Sequence, residues 1–347
     1  MASERWQAIW TRRGTLARLL WPASLLYGAI GTFRRWLYRQ GMKPRHRLPV
    51  PVIVVGNVVV GGAGKTPTVI ALLSHLQASG WRPGVISRGY GRLGHQVLEV
   101  TDKTLPEHSG DEPALIHRRT GVPVVVAPRR ADAGRALLAA HPEVNLLLCD
   151  DGLQHLALER DLAIAVFDER GTGNGWQLPA GLLREPWPPV AGSAFQPDLL
   201  LHQHRSGAAR TCPDGDANIP DFHAERRLAD TAWGPGGSRI DLKDLRARPL
   251  TAVAGIARPE AFFSMLRERG LHIVRTIALA DHASPREYRV LEPDPGSVLV
   301  CTEKDAVKLF AQLPHDRQAW AIPLVLEPET AFWNAFDALL RRRTARR

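Results

Sequence analysis

Cysteine is scarce in this chain, which has three cysteines among 347 residues and no C-x-x-C pair. A disulfide framework and a zinc site of paired cysteines are therefore excluded, and the composition suits a reducing compartment. A membrane-spanning run is also missing: the uncharged stretch 19–33 has fifteen residues and contains Pro22, whereas a spanning helix needs roughly 20. With 44% hydrophobic and 23% charged residues, the chain is typical of a globular protein, and its length suits two α/β domains.

Acidic residues are scarce at both ends of the chain. Residues 1–48 hold ten Lys or Arg and a single acid, Glu4, and the last seven residues hold five Arg. The whole chain has a net charge of +10, so removing +9 and +5 leaves −4 for the middle. A nucleic-acid-binding face would spread positive charge over the folded body. We therefore expect no nucleic-acid partner, and an anionic surface against the N-terminus instead.

The N-terminal segment combines arginines with an apolar, aromatic body. Arg18 and Arg34 flank the stretch 19–33, and six aromatic residues are spread through the segment: Trp6, Trp10, Trp21, Tyr27, Trp36 and Tyr38. That pattern is typical of a helix lying in a bilayer interface, where each base near anionic headgroups contributes about 1 kcal/mol. We predict a basic amphipathic membrane-associating helix within residues 1–48. A helix packed on the protein's own core is the alternative, and a secretory signal is disfavoured because no small-residue cleavage site follows.

Apolar runs alternate with helical patterns along the rest of the chain. Runs typical of buried strands occupy residues 52–55, 84–87, 122–127, 145–150, 162–168 and 198–202. This alternation predicts the α/β class, with a doubly wound parallel sheet like that of P-loop NTPases in residues 49–204. An irregular stretch, 205–247, contains "GPGGS" and is predicted to be a linker. A second βα series predicts a smaller α/β/α domain in residues 248–347.

A glycine-rich turn follows the first strand. "GGAGKT" (61–66) lies between a predicted strand and helix, where backbone N–H groups can wrap phosphates and the lysine can reach the β/γ oxygens. The strict P-loop pattern requires glycine at position 59, where this chain has Val59. A glycine-rich turn with a surface lysine is the alternative. The predicted nucleotide-binding residues are Val59, Val60, Gly61, Gly62, Ala63, Gly64, Lys65 and Thr66.

Two adjacent carboxylates end another predicted strand. "NLLLCDD" finishes with Asp150 and Asp151, and P-loop proteins hold Mg²⁺ with a carboxylate at such a strand end. An acid here can also cap the next element, but two acids before Gly152 favour the metal. Together with the glycine-rich turn, they predict binding of a nucleotide with Mg²⁺.

A nucleotide loop does not by itself choose between a kinase, a hydrolytic switch and a sensor. A kinase needs a base and an anion clamp near the acceptor. The candidates are Arg88 and Tyr90 just beyond a predicted strand end, Asp111 at a predicted helix start after a turn, and Arg184 and Glu185 in a long loop. Because α/β proteins form their binding crevice at the carboxyl ends of strands, we expect these elements to converge. Helix capping by the acid and solvated arginines are the alternatives. A GTPase or metal-delivery chaperone is the competing class, disfavoured because "TEKD" (302–305) has Glu303 where the guanine-reading motif N-K-x-D has Asn. A membrane-bound nucleotide sensor is a further alternative.

Eight stretches together resemble the tetraacyldisaccharide 4′-kinase family of the lipid A pathway. In chain order they are "VIVVGNVVVGGAGKTP", "VISRGYGR", "GDEPALI", "CDDGLQH", "GNGWQLPAGLLREP", "AVAGIARPEAFF", "LADH" and "CTEKDAVKL". The resemblance covers nearly the whole chain, and Val59 is also part of that family's loop. It implies transfer of the γ-phosphoryl group of ATP to the 4′-hydroxyl of a tetraacyldisaccharide 1-phosphate. It further implies a monotopic enzyme on the cytosolic face of the inner membrane of a Gram-negative bacterium, and we expect a monomer.

The resemblance also assigns roles to individual residues. Asp111 matches the catalytic aspartate that takes the hydroxyl proton, and His282, which alone would be read as structural, matches a histidine that orients or polarises it. Lys65 and Asp151 complete the catalytic group, with Lys65 neutralising γ-phosphate charge. Thr66 and Asp150 are expected to hold the metal, directly or through water. The residues expected to grip the sugar and its phosphate are Arg88, Tyr90, Arg130, Arg184 and Glu185.

Overall fold

The computed structural model describes residues 9–62, 64–189, 193, 195–207, 219–291, 294, 296–313 and 318–345. Ala63 of the glycine-rich turn, Trp6 and the last two arginines lie outside the described residues. Over the described residues the strands are β1 (Val52–Gly56), β2 (Pro83–Ser87), β3 (Leu98–Val100), β4 (Val124–Val126), β5 (Leu146–Asp150), β6 (Leu162–Phe167), β7 (Leu199–Arg205), β8 (Asp221–Leu228), β9 (Thr231–Trp233), β10 (Arg239–Asp241), β11 (Leu250–Ala254), β12 (Ile273–Ala278), β13 (Val298–Thr302), β14 (Ala319–Ile322) and β15 (Leu324–Pro328). The helices are α1 (Thr15–Arg39), α2 (Lys65–Ala78), α3 (Pro106–Ser109), α4 (Asp111–Thr120), α5 (Arg130–Ala140), α6 (Pro259–Glu268), α7 (Pro285–Arg289), α8 (Glu303–Leu309) and α9 (Thr330–Thr344).

The larger sheet has nine strands in the order β15-β8-β7-β6-β1-β5-β2-β4-β3. Its inner strands, from β8 to β4, are parallel, and the two edge strands pair antiparallel. Helix α5 packs on one face, while α2, α4 and α9 pack on the other. Because the inner strands are covered on both faces, they read as continuous apolar runs. The predicted doubly wound parallel sheet is confirmed.

The smaller sheet has six strands in the order β10-β9-β14-β13-β11-β12. The strands β14, β13, β11 and β12 are parallel, and β9 and β10 add an antiparallel extension. Phe263 and Leu266 of α6 fill the core on one face, and Ala306 and Leu309 of α8 fill it on the other. A smaller α/β/α layer domain was predicted, and the structure contains one.

The boundaries between the two sheets differ from the predicted ones. The segment 205–247, expected to be a linker, supplies β8 to the larger sheet and β9 and β10 to the smaller one. The chain then returns, since β15 pairs with β8 and α9 packs on the larger sheet rather than within the second domain. The sequence of β8, "DFHAERRL", does not predict a strand because it contains no apolar run. Most of its residues are only half-buried in the structure.

Helix α1 is 25 residues long and contains Pro22. One side of it is fastened to the loop 173–186: Ser24 Oγ donates to the carbonyl of Gln177 at 2.8 Å, and Arg35 forms an ion pair with Glu185. The other side exposes large apolar residues, Leu16, Leu19, Trp21, Leu25, Leu26, Tyr27, Ile30, Phe33 and Trp36. Within the described part of the chain, no helix combines the length and hydropathy that a bilayer crossing requires.

Candidate active site

One large cavity, of about 1050 Å³, opens where the larger sheet, the smaller sheet and α1 meet. Its wall brings together most of the residues singled out from the sequence. Those lining it are Gly61, Gly62, Gly64, Lys65, Thr66, Arg88, Tyr90, Arg130, Asp150, Asp151, Arg184, Glu185 and His282. They come from separate stretches of sequence, so the fold gathers them at the carboxyl ends of parallel strands, as expected for an α/β protein.

The glycine-rich turn leads directly from β1 into α2. Gly61 has φ +88° and Gly64 has φ +77°, a backbone region that side chains disfavour. A Cβ on Gly64 would overlap Oε1 of Gln203, whose Nε2 donates to the Gly64 carbonyl at 2.8 Å. Gln203 therefore fixes the side of the turn that faces away from the cavity. The amides of the turn can face the cavity at the N-terminus of α2.

Gly64→Ala should lower the free energy of unfolding by about 1–3 kcal/mol through the left-handed backbone alone, and more through the clash with Gln203. Gly80→Ala is the matched control, because Gly80 has φ +83° and a Cβ added there would meet nothing within 4 Å. Urea denaturation of both variants, with and without ATP, measures the difference. Equal losses of unfolding free energy in both variants would show that the packing of Gln203 against Gly64 does not contribute to stability.

Val59 and Val60 behave differently from the prediction. The Val59 side chain is fully buried in the core of the larger sheet, and neither residue borders the cavity. The N–H of Val60 donates to the carbonyl of Leu182 at 2.9 Å, and the N–H of Arg184 donates to that of Val58 at 2.7 Å. This stretch therefore joins the glycine-rich turn to the loop that carries Arg184, and the Val60 amide is already engaged.

Lys65 points into a cluster of charged groups on the cavity wall. Its Nζ lies 3.4 Å from Oδ1 of Asn57 and 3.7 Å from Oδ1 of Asp151. Arg184 Nη1 lies 3.4 Å from both carboxylate oxygens of Asp151, and Arg130 donates to its carbonyl at 3.1 Å. Burial raises the pKa of Asp151, but the charges of Lys65, Arg184 and Arg130 outweigh burial and hold it below its usual value. Asp151 thus stays ionised and orders three cations around the cavity.

Asp150 is the carboxylate best suited to a metal ion. It is 5% exposed, and its Oδ1 is buried without a hydrogen-bond partner among the described residues. Burial, and then the neighbouring charge of Asp151, raise the pKa of Asp150 to about 7. A divalent cation would supply the missing partner, and Thr66 lines the same cavity.

Across the described ranges, no three His, Cys, Asp or Glu side chains form a metal cage. Mg²⁺ commonly binds through one or two protein ligands, with phosphates and waters completing the shell. The residues present therefore fit a nucleotide-bound Mg²⁺.

Asp111 lies at the N-terminus of α4 and meets a histidine and a lysine from the smaller-sheet region. Its Oδ2 is 3.1 Å from Nδ1 of His282 and 2.8 Å from Nζ of Lys308. Burial raises the pKa of Asp111, but the hydrogen bonds to His282 and Lys308 outweigh it, and the net pKa is lowered. The hydrogen bond to Asp111 in turn raises the pKa of His282. The predicted acid and histidine are thus a hydrogen-bonded pair.

The residues expected to grip the acceptor are not equivalent. Arg88 and Tyr90 are exposed at the cavity mouth, and the Tyr90 ring centroid is 5.5 Å from that of His282. Arg130 is 7% exposed, at the start of α5. Glu185 is 9% exposed and paired with Arg35, and burial raises its pKa. Glu185 therefore joins α1 to the cavity wall.

Several polar residues of the site are not among those predicted from the sequence. Lys304 and Lys308 lie four residues apart on one face of α8, in the quoted stretch "CTEKDAVKL", and that spacing was a usable signal. Lys304 Nζ lies 3.2 Å from Glu112 and 3.0 Å from Asp281. Asn57 follows directly after β1, but the neighbouring sequence does not distinguish it from an ordinary turn residue.

Comparisons with known proteins agree over most of the chain. The profile of the family described as LpxK, tetraacyldisaccharide-1-P 4′-kinase, matches residues 16–341. The tetraacyldisaccharide 4′-kinase of Polaromonas naphthalenivorans is 52% identical over 334 residues, covering 95% of this chain and 93% of the relative. The protein of the same name from Acidovorax sp. strain JS42 is 52% identical over 338 residues, covering 97% and 95%. The crystal structure of "apo" LpxK from Aquifex aeolicus in complex with ATP is similar with a TM-score of 0.79 and 28% identity, covering 95% of this chain and 99% of that one.

Proposed function

Because the chain belongs to the tetraacyldisaccharide-1-P 4′-kinase family, we infer that it transfers the γ-phosphoryl group of ATP to the 4′-hydroxyl of a tetraacyldisaccharide 1-phosphate. The product is the 1,4′-bisphosphate, lipid IVA, of lipid A biosynthesis. The observation that carries this function is that one cavity is lined by both a phosphate loop and His282, whose Nδ1 lies 3.1 Å from the buried carboxylate of Asp111. A nucleotide switch or sensor would not need the second of these features.

The phosphate end of ATP is assigned to the glycine-rich turn. The amides of Gly61, Gly62, Gly64, Lys65 and Thr66 face the triphosphate, and Lys65 neutralises charge on its terminal group. Asp151 and Asn57 hold the ammonium of Lys65 on the cavity side, so little rearrangement is needed when an anion enters. Preorganised charge of this kind is usually the largest contribution to phosphoryl transfer.

The metal is assigned to Thr66 and Asp150. The unpartnered Oδ1 of Asp150 and its raised pKa support this assignment, because a cation would keep the buried carboxylate ionised. Mg²⁺, when bound, neutralises the charge shared by the β- and γ-phosphate oxygens.

The chemical step is assigned to Asp111. The 4′-oxygen forms a bond to the γ-phosphorus, the bond from that phosphorus to the β–γ bridging oxygen breaks, and ADP leaves. Asp111 accepts the hydroxyl proton, and a lowered pKa means that its carboxylate is ionised and ready at neutral pH. Nδ1 of His282 lies 3.1 Å from Oδ2 of Asp111, and this hydrogen bond orients the carboxylate.

The acceptor is assigned to the arginine-rich mouth of the cavity. Arg88, Tyr90, Arg130 and Arg184 line the same cavity as His282, and the guanidinium groups of the arginines can bind the sugar phosphate bidentately. Glu185 contributes through its ion pair with Arg35 and fixes α1 against this wall.

Membrane association is assigned to the exposed face of α1, and the site of action to the cytosolic face of the inner membrane. Replacing Leu19, Leu26 and Phe33 by Glu should lower partitioning to anionic vesicles by about 100-fold or more, since burial of each large apolar side chain stabilises by roughly 1.5–3 kcal/mol. These side chains are 60–76% exposed and a heptad apart on one face. Vesicle sedimentation measures the effect.

The matched control for that experiment replaces Leu105, Val274 and Val290, which are also exposed but lie elsewhere, by Glu. It should sediment with vesicles like the unaltered protein. Equal sedimentation of both triple variants would place the membrane contact on another surface.

The test of the function uses ATP labelled at the γ-phosphorus and mixed vesicles containing the disaccharide 1-phosphate. Label is expected in the lipid, at the 4′-position, with ATP consumption dependent on the lipid acceptor. Release of labelled inorganic phosphate at the same rate with and without the lipid would instead support the switch.

A further inference from the structure

Helix α8 presents two lysines to the first two residues of α4. Lys308 Nζ lies 2.8 Å from Oδ2 of Asp111, and Lys304 Nζ lies 3.2 Å from Oε1 of Glu112. α4 belongs to the larger sheet and α8 to the smaller one. The start of α4 is therefore an electrostatic contact between the two halves of the molecule.

Lys308 is the more deeply placed of the two lysines. Its side chain is 8% exposed, and that of Asp111 is 6% exposed. A buried ammonium is costly unless it is paired and hydrogen-bonded. The second acceptor is the carbonyl of Ala283, at 2.9 Å. Since Ala283 directly follows His282, one ammonium group fixes both the carboxylate and the backbone that carries the histidine.

The backbone at His282 needs such a fixed position. Its φ is +62°, an unusual value for a non-glycine residue. A residue in this region persists only where the surroundings hold it. Lys308 on the carbonyl of Ala283 and Asp111 on Nδ1 hold the segment from both sides.

We propose that Lys308 is a positioning residue that holds the Asp111 carboxylate ionised and aimed at His282, so that the base is assembled by docking of α8 on α4. The proposal rests on the proposed role of Asp111 as the base. Lys308 contacts neither the acceptor nor the nucleotide in this assignment, and it acts through Asp111.

Other titratable groups lie near the same carboxylate. Glu112 on α4 and Asp281 beside His282 are anionic and are both paired with Lys304. Tyr288 of α7 donates to Asp305 at 2.6 Å, and burial raises the pKa of Tyr288. Among the described residues, Lys308 is thus the lysine that contacts Asp111 directly.

The test compares Lys308→Met with Lys308→Arg, Arg119→Met and Asp111→Asn. Arg119 forms an ion pair with Glu303 across the same α4–α8 contact, at 2.7 Å, without touching Asp111. Lys308→Met should lower kcat by up to about 100-fold, the scale of a misplaced catalytic group, with KM for ATP unchanged. Lys308→Arg should recover part of the loss, and Arg119→Met should keep most of the activity.

The pH profile separates positioning from mere stability. The base is active when ionised, so kcat/KM falls as the pH falls through the pKa of Asp111. Without the ammonium that pKa rises, and the acid limb of the Lys308→Met profile should move to higher pH. A loss of activity that is equal at every pH, or one matched by Arg119→Met, would overturn the proposal. If instead Asp111→Asn were fully active, the assignment of the base itself would fail, independently of Lys308.

Discussion

Replacing Asp111 by Asn should lower kcat by at least about 100-fold, the usual scale for loss of a positioned base, while ATP still binds. Asn has the same shape and retains an oxygen that can accept from Lys308, so the local packing is kept. It has no charge and cannot take the hydroxyl proton. Single-turnover transfer with saturating ATP and lipid acceptor measures the chemical step, and equilibrium binding of a labelled nucleotide checks the rest of the site.

Asp102→Asn is the matched control, because the Asp102 side chain is 93% exposed and pairs with His117 at the surface. It should transfer phosphate at the wild-type rate. Wild-type turnover of Asp111→Asn would remove Asp111 from the chemistry, and the buried pair with His282 would then be structural.

Replacing Lys65 by Met should lower kcat/KM by about 10²–10³-fold, the scale for removing one preorganised donor from a developing charge. Met fills similar volume along the stem and removes only the ammonium. The same change also weakens ATP binding. Without the ammonium of Lys65, the negative charge of Asp151 is less well balanced and repels the triphosphate. Initial rates over a range of ATP concentrations measure both effects.

Lys243→Met is the control for that variant, since Lys243 is 70% exposed and pairs with Asp241 away from the cavity. Its kinetics should equal those of the wild type. Unchanged kcat/KM in Lys65→Met would mean that the glycine-rich turn ends in an ordinary surface lysine.

The parts of the fold that could be predicted from sequence are those with strong local patterns. The apolar strands β1, β5 and β6 are buried on both faces, so their runs were unmistakable and implied a parallel sheet. The glycine-rich turn and Asp150 follow such strands directly. Their meeting at one cavity follows from topology, since carboxyl ends of parallel strands share an edge.

The parts that could not be predicted depend on contacts between distant residues. Lys308 and Asp111 are 197 residues apart, and Arg35 and Glu185 are 150 apart. Neither pair has a local signature. The same applies to the return of the chain into β15, because its apolar residues, Leu324–Leu326, indicate a strand but not that it pairs with β8 of the larger sheet. Motif position predicts Val59 and Val60 as nucleotide-binding residues, whereas the Val59 side chain is buried in the core and the N–H of Val60 donates to the carbonyl of Leu182.

The most direct test of the central claim is the stereochemistry of transfer from ATP that is chiral at the γ-phosphorus. Direct passage from a nucleotide held by the glycine-rich turn to a hydroxyl beside Asp111 is a single in-line displacement, so the account predicts inversion of configuration in the 4′-phosphate. Retention would contradict it, because two displacements require a phosphorylated enzyme group and Asp111 would then be a nucleophile or irrelevant to the step.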